Sequence, residues 1–224
     1  MVKRFFITGT DTNCGKTYVT CQLLDYLNSK QQAAAAIKPV ASGCVWEKGE
    51  WQNEDVSLLN QFTRHPVGDI CPWRLKEPVS PNIAASREGR ALSAQKIAEF
   101  CLKDDFSHLD YLLIEGAGGL MVPLNEQETW LDFLELTNIP VILVVGMRLG
   151  CLNHALLTAA VMQQRGVVCA GWVANCLEAD MSALEENIEI LSKKLSFPRL
   201  AIIGHAVSKP EFFWIFPAFI RNHE

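Results

Sequence analysis

Nine consecutive residues, Gly9-Thr10-Asp11-Thr12-Asn13-Cys14-Gly15-Lys16-Thr17, constrain this chain more than any other stretch. An apolar run, Phe5-Phe6-Ile7, leads into them, and a segment of helical periodicity follows. Strand, glycine-rich loop, Gly-Lys-Thr and helix in that order make a P-loop, whose backbone N–H groups converge on an anion at the helix N-terminus. Thr12, Asn13, Cys14 and Gly15 form the cradle, Lys16 adds a point charge on the outer phosphates, and the Thr17 hydroxyl reaches Mg²⁺. One departure is visible. The motif usually places four residues between its glycines, whereas residues 10–14 separate Gly9 from Gly15 here, so Thr10 holds the first glycine position.

The chain around the loop alternates buried strands with helices. Residues 16–29 carry Val19, Leu23 and Leu27 on one stripe, which predicts a helix. Ala33 to Ile37 reads as a buried parallel strand ending at Lys38-Pro39, and Pro39 keeps Lys38 extended. Lys38 then stands at a strand's C-terminal tip, where open α/β sheets bind ligands; a solvated lysine is the plainer alternative. Small residues follow, Val40-Ala41-Ser42-Gly43, and residues 44–52 are polar and turn-like. Asn53 caps a helix bearing Val56, Leu59 and Phe62. Asp55 falls in its first turn, where the helix dipole by itself favours an acid. Four prolines make residues 66–83 mostly irregular, with a short strand near 70–75 and a short helix after Asn82. Ser93 to Leu102 is a further helix.

Tyr111-Leu112-Leu113-Ile114 followed by Glu115-Gly116-Ala117-Gly118-Gly119 is the second strong signal. It reads as a central parallel strand delivering an acid to its tip, and in P-loop proteins that acid serves Mg²⁺. The glycines are expected to bare the backbone to phosphate or substrate. Residues 139–146 form another buried strand, and Leu149-Gly150-Cys151-Leu152-Asn153-His154 opens a helix running to about Arg165. Free N–H groups at that start suit a carboxylate. His154 has no metal partner at suitable spacing and reads as a surface residue. Residues 167–174 form a strand reaching Asn175-Cys176, where the amide reads a nucleobase edge or merely turns the chain. Ser182-Ala183-Leu184-Glu185 predicts a capping box, and Leu200 to Ile203 a last strand. The aromatic stretch 212–220 is expected to pack on the core or on a second subunit.

No repeat or boundary interrupts this pattern, so one domain over residues 1–224 is expected, a doubly wound, mostly parallel α/β sheet with helices on both faces. A hydrophobic fraction of 49% with 20% charged residues fits a globular chain, and a net charge of −5 argues against a nucleic-acid surface. The eight cysteines form no Cys-x-x-Cys pair or zinc-spaced cluster, which suits a reduced cytoplasmic protein. No apolar run approaches a membrane span, and the N-terminal apolar run is too short for a signal peptide.

Taken together, these motifs resemble the dethiobiotin synthetase family, P-loop ligases of biotin synthesis. The resemblance extends to about residue 176. It is carried by Thr8-Gly9-Thr10-Asp11-Thr12 with Gly15-Lys16-Thr17, Lys38-Pro39-Val40-Ala41-Ser42-Gly43, Asn53-Glu54-Asp55, Glu77-Pro78 with Ser80-Pro81, Glu115 to Gly119, Leu149 to Ala155, and Gly171 to Asn175. It implies ATP and Mg²⁺ as cofactors, 7,8-diaminononanoate and CO₂ as substrates, and a homodimer. Thr17, Asp55 and Glu115 match the family's Mg²⁺ ligands, and Lys38, with Lys16, its catalytic lysines. Thr12, Ser42 and Gly118 would line the diamine site. Gly116, Ala117, Asn175 and Cys176 would join the nucleotide site, with Asn175 reading adenine. Gly150, Cys151 and Asn153 would receive the substrate carboxylate from the other subunit. Asn13 stands where many relatives carry an acid, and Gly204-His205-Ala206-Val207 lacks their proline-containing loop. A partitioning- or division-type ATPase switch shares the fold. It requires a second lysine near the loop's start, where this chain has Thr10 and Asp11.

Overall fold

The computed structural model describes residues 2–65 and 67–205. β1 (Lys3–Gly9) leads through the glycine-rich loop into α1 (Lys16–Ser29), which returns to β2 (Ala34–Ile37). β3 (Val40–Ala41), the hairpin of β4 (Val45–Glu47) and β5 (Glu50–Gln52), α2 (Glu54–Phe62) and β6 (Trp73–Arg74) follow. Next come α3 (Pro81–Arg87), α4 (Ala94–Leu102), β7 (Tyr111–Gly119), α5 (Trp130–Thr137), β8 (Val141–Met147) and α6 (Cys151–Gln164). β9 (Cys169–Cys176), α7 (Leu184–Lys194) and β10 (Arg199–Ile203) complete the described chain.

Six strands form one sheet in the order β10-β9-β8-β1-β7-β2, and every neighbouring pair is parallel. That is why β8 reads as an unbroken apolar run rather than an alternating one: all seven of its residues are buried. From β1 the chain crosses outward to β2, whereas from β7 it crosses the other way to β8. Right-handed crossovers therefore set α1 and α5 on opposite faces. Because all six strands run the same way, the ends of β1, β2 and β7 open onto one edge.

Phe6 on β1 meets Trp130 and Phe133 of α5 at ring-centroid distances of 5.2 and 5.4 Å. The Trp130 indole N–H then donates to the Ala117 carbonyl at 3.0 Å, so a core residue also fixes the tip of β7. A Cβ at Gly116 would lie 2.5 Å from the Phe6 ring. This corrects the expectation that the glycines after Glu115 serve only ligand approach: Gly116 is small because Phe6 packs against it. Gly116→Ala is expected to lower stability by about 1–3 kcal/mol through overpacking, read from urea denaturation. An unchanged midpoint would mean the ring relaxes freely.

Three local expectations need revision. Residues 45–52, read as turn-like, form a hairpin that turns through Lys48 and Gly49, both at positive φ. The capping box at Ser182 does not form, because Ala183 takes the N-cap position in a left-handed conformation with no side-chain cap. Glu185 and Glu186 at the start of α7, with Lys193 and Lys194 at its end, complement the helix dipole instead. A true capping box lies at α5, where Thr129 and Asp132 bond reciprocally; the sequence reading assigned nothing there. The aromatic stretch 212–220 and the pair Ala206-Val207 lie outside the described residues.

Candidate active site

The glycine-rich loop is tied down at several points. Thr10 N–H donates to the Val144 carbonyl at 3.0 Å, and the Lys16 ammonium to the Asp11 carbonyl at 3.2 Å. The Asp11 carboxylate accepts the Thr12 N–H at 2.7 Å and pairs with the Arg148 guanidinium, linking the loop to the segment after β8. Within the loop Asn13 and Gly15 take positive φ, 58° and 85°. Asparagine tolerates that region better than most residues. Asn13 therefore has a backbone reason to stand there.

Three charged groups meet beside the loop. Lys38 follows β2 and Asp55 lies in the first turn of α2, but Glu115 sits in the middle of β7 rather than at the tip expected from the sequence, because the strand runs on through the glycines to Gly119. The Lys38 ammonium bridges both acids, 2.5 Å from Asp55 Oδ2 and 2.7 Å from Glu115 Oε1. Thr17 Oγ1 donates to Glu115 Oε1 at 2.8 Å, and Thr20 Oγ1 lies 3.0 Å from Oε2. Lys38 is only 5% exposed and Glu115 fully buried, so neither is the solvated surface group that position alone allows. Burial alone would lower the Lys38 pKa, but Glu115 and Asp55 outweigh it and hold it well above the ordinary lysine value. Burial pushes the Asp55 carboxyl up, yet Lys38, the Thr17 hydroxyl and Lys16 bring it below its usual range. Nearby, burial and the same two carboxylates push the Cys21 thiol up to about 12, which keeps it an inert apolar residue.

Thr17, Lys38 and Asp55 line a cleft of about 860 Å³, while Glu115 lies buried behind them and does not reach it. Thr12, Asn13, Gly15, Lys16, Thr17, Lys38, Ser42, Asp55, Ala117 and Gly118 all line it, as the sequence expects. Pro78, Val79, Pro81 and Val122 add apolar surface to its lining. Asn53, which also lines the cleft, does two jobs: its Oδ1 caps α2 through Val56 N–H, and its Nδ2 donates to the Ser42 carbonyl at 3.1 Å. Ser42 Oγ is buried with no hydrogen-bond partner among the described residues.

Other expected residues lie elsewhere. Asn175 is buried beneath the loop and donates Nδ2 to the Cys14 carbonyl at 2.9 Å, so it braces the cradle rather than lining the cleft. Cys14 and Cys176 are buried too. Gly150 starts α6 at φ 95°, and neither it, Cys151 nor Asn153 lines this cleft. His154 is exposed, as expected. Sequence reasoning missed Thr20 and Arg148, since a mid-helix threonine and a post-strand arginine carry no pattern of their own.

An anion-cradling loop on β1 beside an acid-bearing strand of a parallel sheet defines a nucleotide-binding P-loop protein. Solved structures agree at the level of fold. FtsY from Thermotoga maritima superposes with a TM-score of 0.57 at 14% identity, covering 96% of this chain and 66% of that one. Chloroplast FtsY from Physcomitrella patens gives 0.55 at 18%, covering 96% and 62%. The chain thus spans just under two thirds of each of these structures. A family model described as an AAA domain matches residues 3–207. The ATP-dependent dethiobiotin synthetase of Legionella pneumophila (strain Corby) is 54% identical over 200 residues, 89% of this chain and 92% of that protein. Its namesake from Cellvibrio japonicus is 44% identical over 90% and 89% of the two chains. The chain belongs to the ATP-dependent dethiobiotin synthetase family.

Proposed function

We propose that this protein closes the ureido ring of dethiobiotin from 7,8-diaminononanoate, CO₂ and ATP, releasing ADP and phosphate. The observation that carries this reading is the meeting of Lys16, Lys38 and Asp55 in one cleft, with Glu115 buried behind them and ion-paired to Lys38. One amine takes up CO₂ as a carbamate, whose oxygen attacks the γ-phosphorus of ATP and expels ADP. The second amine attacks the carbon of the resulting carbamic–phosphoric anhydride, which closes the ring and releases phosphate. Negative charge gathers at one place in each step. Lys16 and the loop amides neutralise the phosphoryl oxygens, and Lys38 the carbamate and transferring group.

Thr17, Asp55 and Glu115 would hold Mg²⁺. The fit rests on their chemistry: the Asp55 and Glu115 carboxylates already converge on a cation, the Lys38 ammonium, and the Thr17 hydroxyl is bonded to Glu115 beside them, a set of hard oxygen donors. Among the described residues no group of three or more His, Cys, Asp or Glu could hold a metal. Two carboxylates and a hydroxyl suit an ion that takes its remaining ligands from water and substrate phosphates. When bound it would offset charge on the β- and γ-phosphates. Thr12, Ser42 and Gly118 would hold the diamine, whose methylene chain suits the apolar surface of the cleft. Cys14, Gly116, Ala117, Asn175 and Cys176 would support the nucleotide, Asn175 through the loop and adenine.

The active form would be a homodimer in which Gly150, Cys151 and Asn153 of one subunit face the substrate carboxylate of the other. The fully exposed Leu149 beside them is an apolar group suited to such a contact. The chain would work as one domain. No helix among the described residues is long and apolar enough to cross a membrane, and a cytoplasmic enzyme is the corresponding reading.

Incubation with MgATP, bicarbonate and the diamine tests this. Phosphate release is expected only with all three, in step with ring product. ATP turnover indifferent to the diamine would favour a switch ATPase instead.

A further inference from the structure

Glu115 is a fully buried carboxylate whose oxygens have different surroundings. Oε1 accepts from Thr17 Oγ1 at 2.8 Å and the Lys38 ammonium at 2.7 Å, two residues that line the cleft. Both donors have other work in the proposed reaction, Thr17 toward the metal and Lys38 toward the carbamate. Oε2 has one neighbouring donor among the described residues, Thr20 Oγ1 at 3.0 Å. Thr20 is itself fully buried, one helical turn beyond Lys16 on α1.

Its single hydroxyl proton has two candidate acceptors, since Oγ1 also lies 2.9 Å from the Lys16 carbonyl. The helix ladder already gives that carbonyl the backbone N–H of Thr20. A hydrogen bond to an ionised acceptor is about twice as strong as a neutral one. An ion-paired carboxylate with an oxygen in a dry site therefore takes the proton. We propose that Thr20 is a positioning residue for Glu115. It reserves Oε2, so that the carboxylate keeps its plane and presents Oε1 alone to the metal when Thr17 and Lys38 turn to their other partners. This rests on the reading of Glu115 as a metal-serving acid.

Hydrogen-bond partners that orient metal ligands typically change metal affinity or activity by about 10–100-fold when removed. Thr20→Val, which keeps the side-chain shape and deletes the hydroxyl, is expected to weaken Mn²⁺ binding to the enzyme–ADP complex about 10-fold or more, read by EPR. The apparent Mg²⁺ activation constant should rise in parallel, with a smaller change in turnover at saturating Mg²⁺. Thr20→Ser should restore both. Should Thr20→Val not fold, Thr20→Ser against Thr20→Ala makes the same comparison, because those differ only in the hydroxyl. Unchanged Mn²⁺ affinity in the hydroxyl-free variants overturns the proposal, whatever their melting temperature. So does equal weakening in Thr20→Ser. Glu115→Gln run alongside separates the two levels: if it too leaves Mn²⁺ affinity unchanged, Glu115 does not serve the metal at all.

Discussion

Lys38→Met is expected to lower ring formation at least ~10²-fold, the usual loss when a charge placed on a developing anion is removed. It is also expected to cost stability, which the residue's place at a strand tip conceals. Lys38 is buried and bridges Asp55 and Glu115, and Glu115 has no access to water. Breaking a buried pair from one side leaves an uncompensated charge, at about 3–5 kcal/mol. The two effects separate in the double variant Lys38→Met with Glu115→Gln. Removing the stranded charge should recover most of the stability and none of the turnover. The signs of the pKa shifts fix the pH dependence. The Lys38 pKa is raised by its two acids against burial, so its contribution is full below its unfolded value of about 10.4 and fades as pH climbs through the folded one. That of Asp55 is lowered against burial, so its share is full above about 3.9 and is lost as pH falls through the folded value. The contribution of the Lys38–Asp55 pair to wild-type stability should thus stay flat over roughly pH 5–9 in urea titrations. Turnover that survives in Lys38→Met would remove the lysine from the reaction.

The sheet and the loop were legible because their signals are local and redundant. β8 and the apolar part of β7 are unbroken apolar runs, and Gly15-Lys16-Thr17 falls where strand meets helix. Lys38 could be placed at a tip because the apolar run stops there, whereas Glu115 was misplaced at one because β7 continues through four residues that carry little strand signal. Their mutual contact could not be placed, since it depends on β2 and β7 being neighbours with Ile37 opposite Ile114. The resemblance to a family brought the two together before the geometry did. The hairpin at 45–52 escaped because Lys48-Gly49 is a weaker turn signal than Asn-Gly and its strands expose charged residues. α5 escaped because it is short. Its buried face, Trp130, Leu131, Phe133 and Leu134, spans little more than one turn and gives the periodicity no room to repeat. Asn175 was placed at the right strand end with an incomplete role, because nothing in the sequence reports that Cys14 crosses above it.

That crossing makes Gly15→Ala the second variant of large effect. Gly15 sits at φ 85°, where a side chain is strained, and a Cβ there would fall 2.1 Å from Asn175 Nδ2. The amide would have to swing away, giving up its bond to the Cys14 carbonyl. One methyl group therefore strains the turn and frees the cradle from its brace. ATP affinity is expected to fall ~10²-fold, about 2.7 kcal/mol, since the loop N–H groups no longer share one focus. Asn175→Ala alone removes the brace without straining the turn and should weaken nucleotide binding less. The combination decides between the two causes. If the clash dominates, Gly15→Ala with Asn175→Ala binds ATP as the Asn175 variant does; if the left-handed turn dominates, it binds as poorly as Gly15→Ala. Calorimetric titration with ATP distinguishes these, and wild-type affinity in Gly15→Ala would mean that the loop binds phosphate in another conformation than the one described.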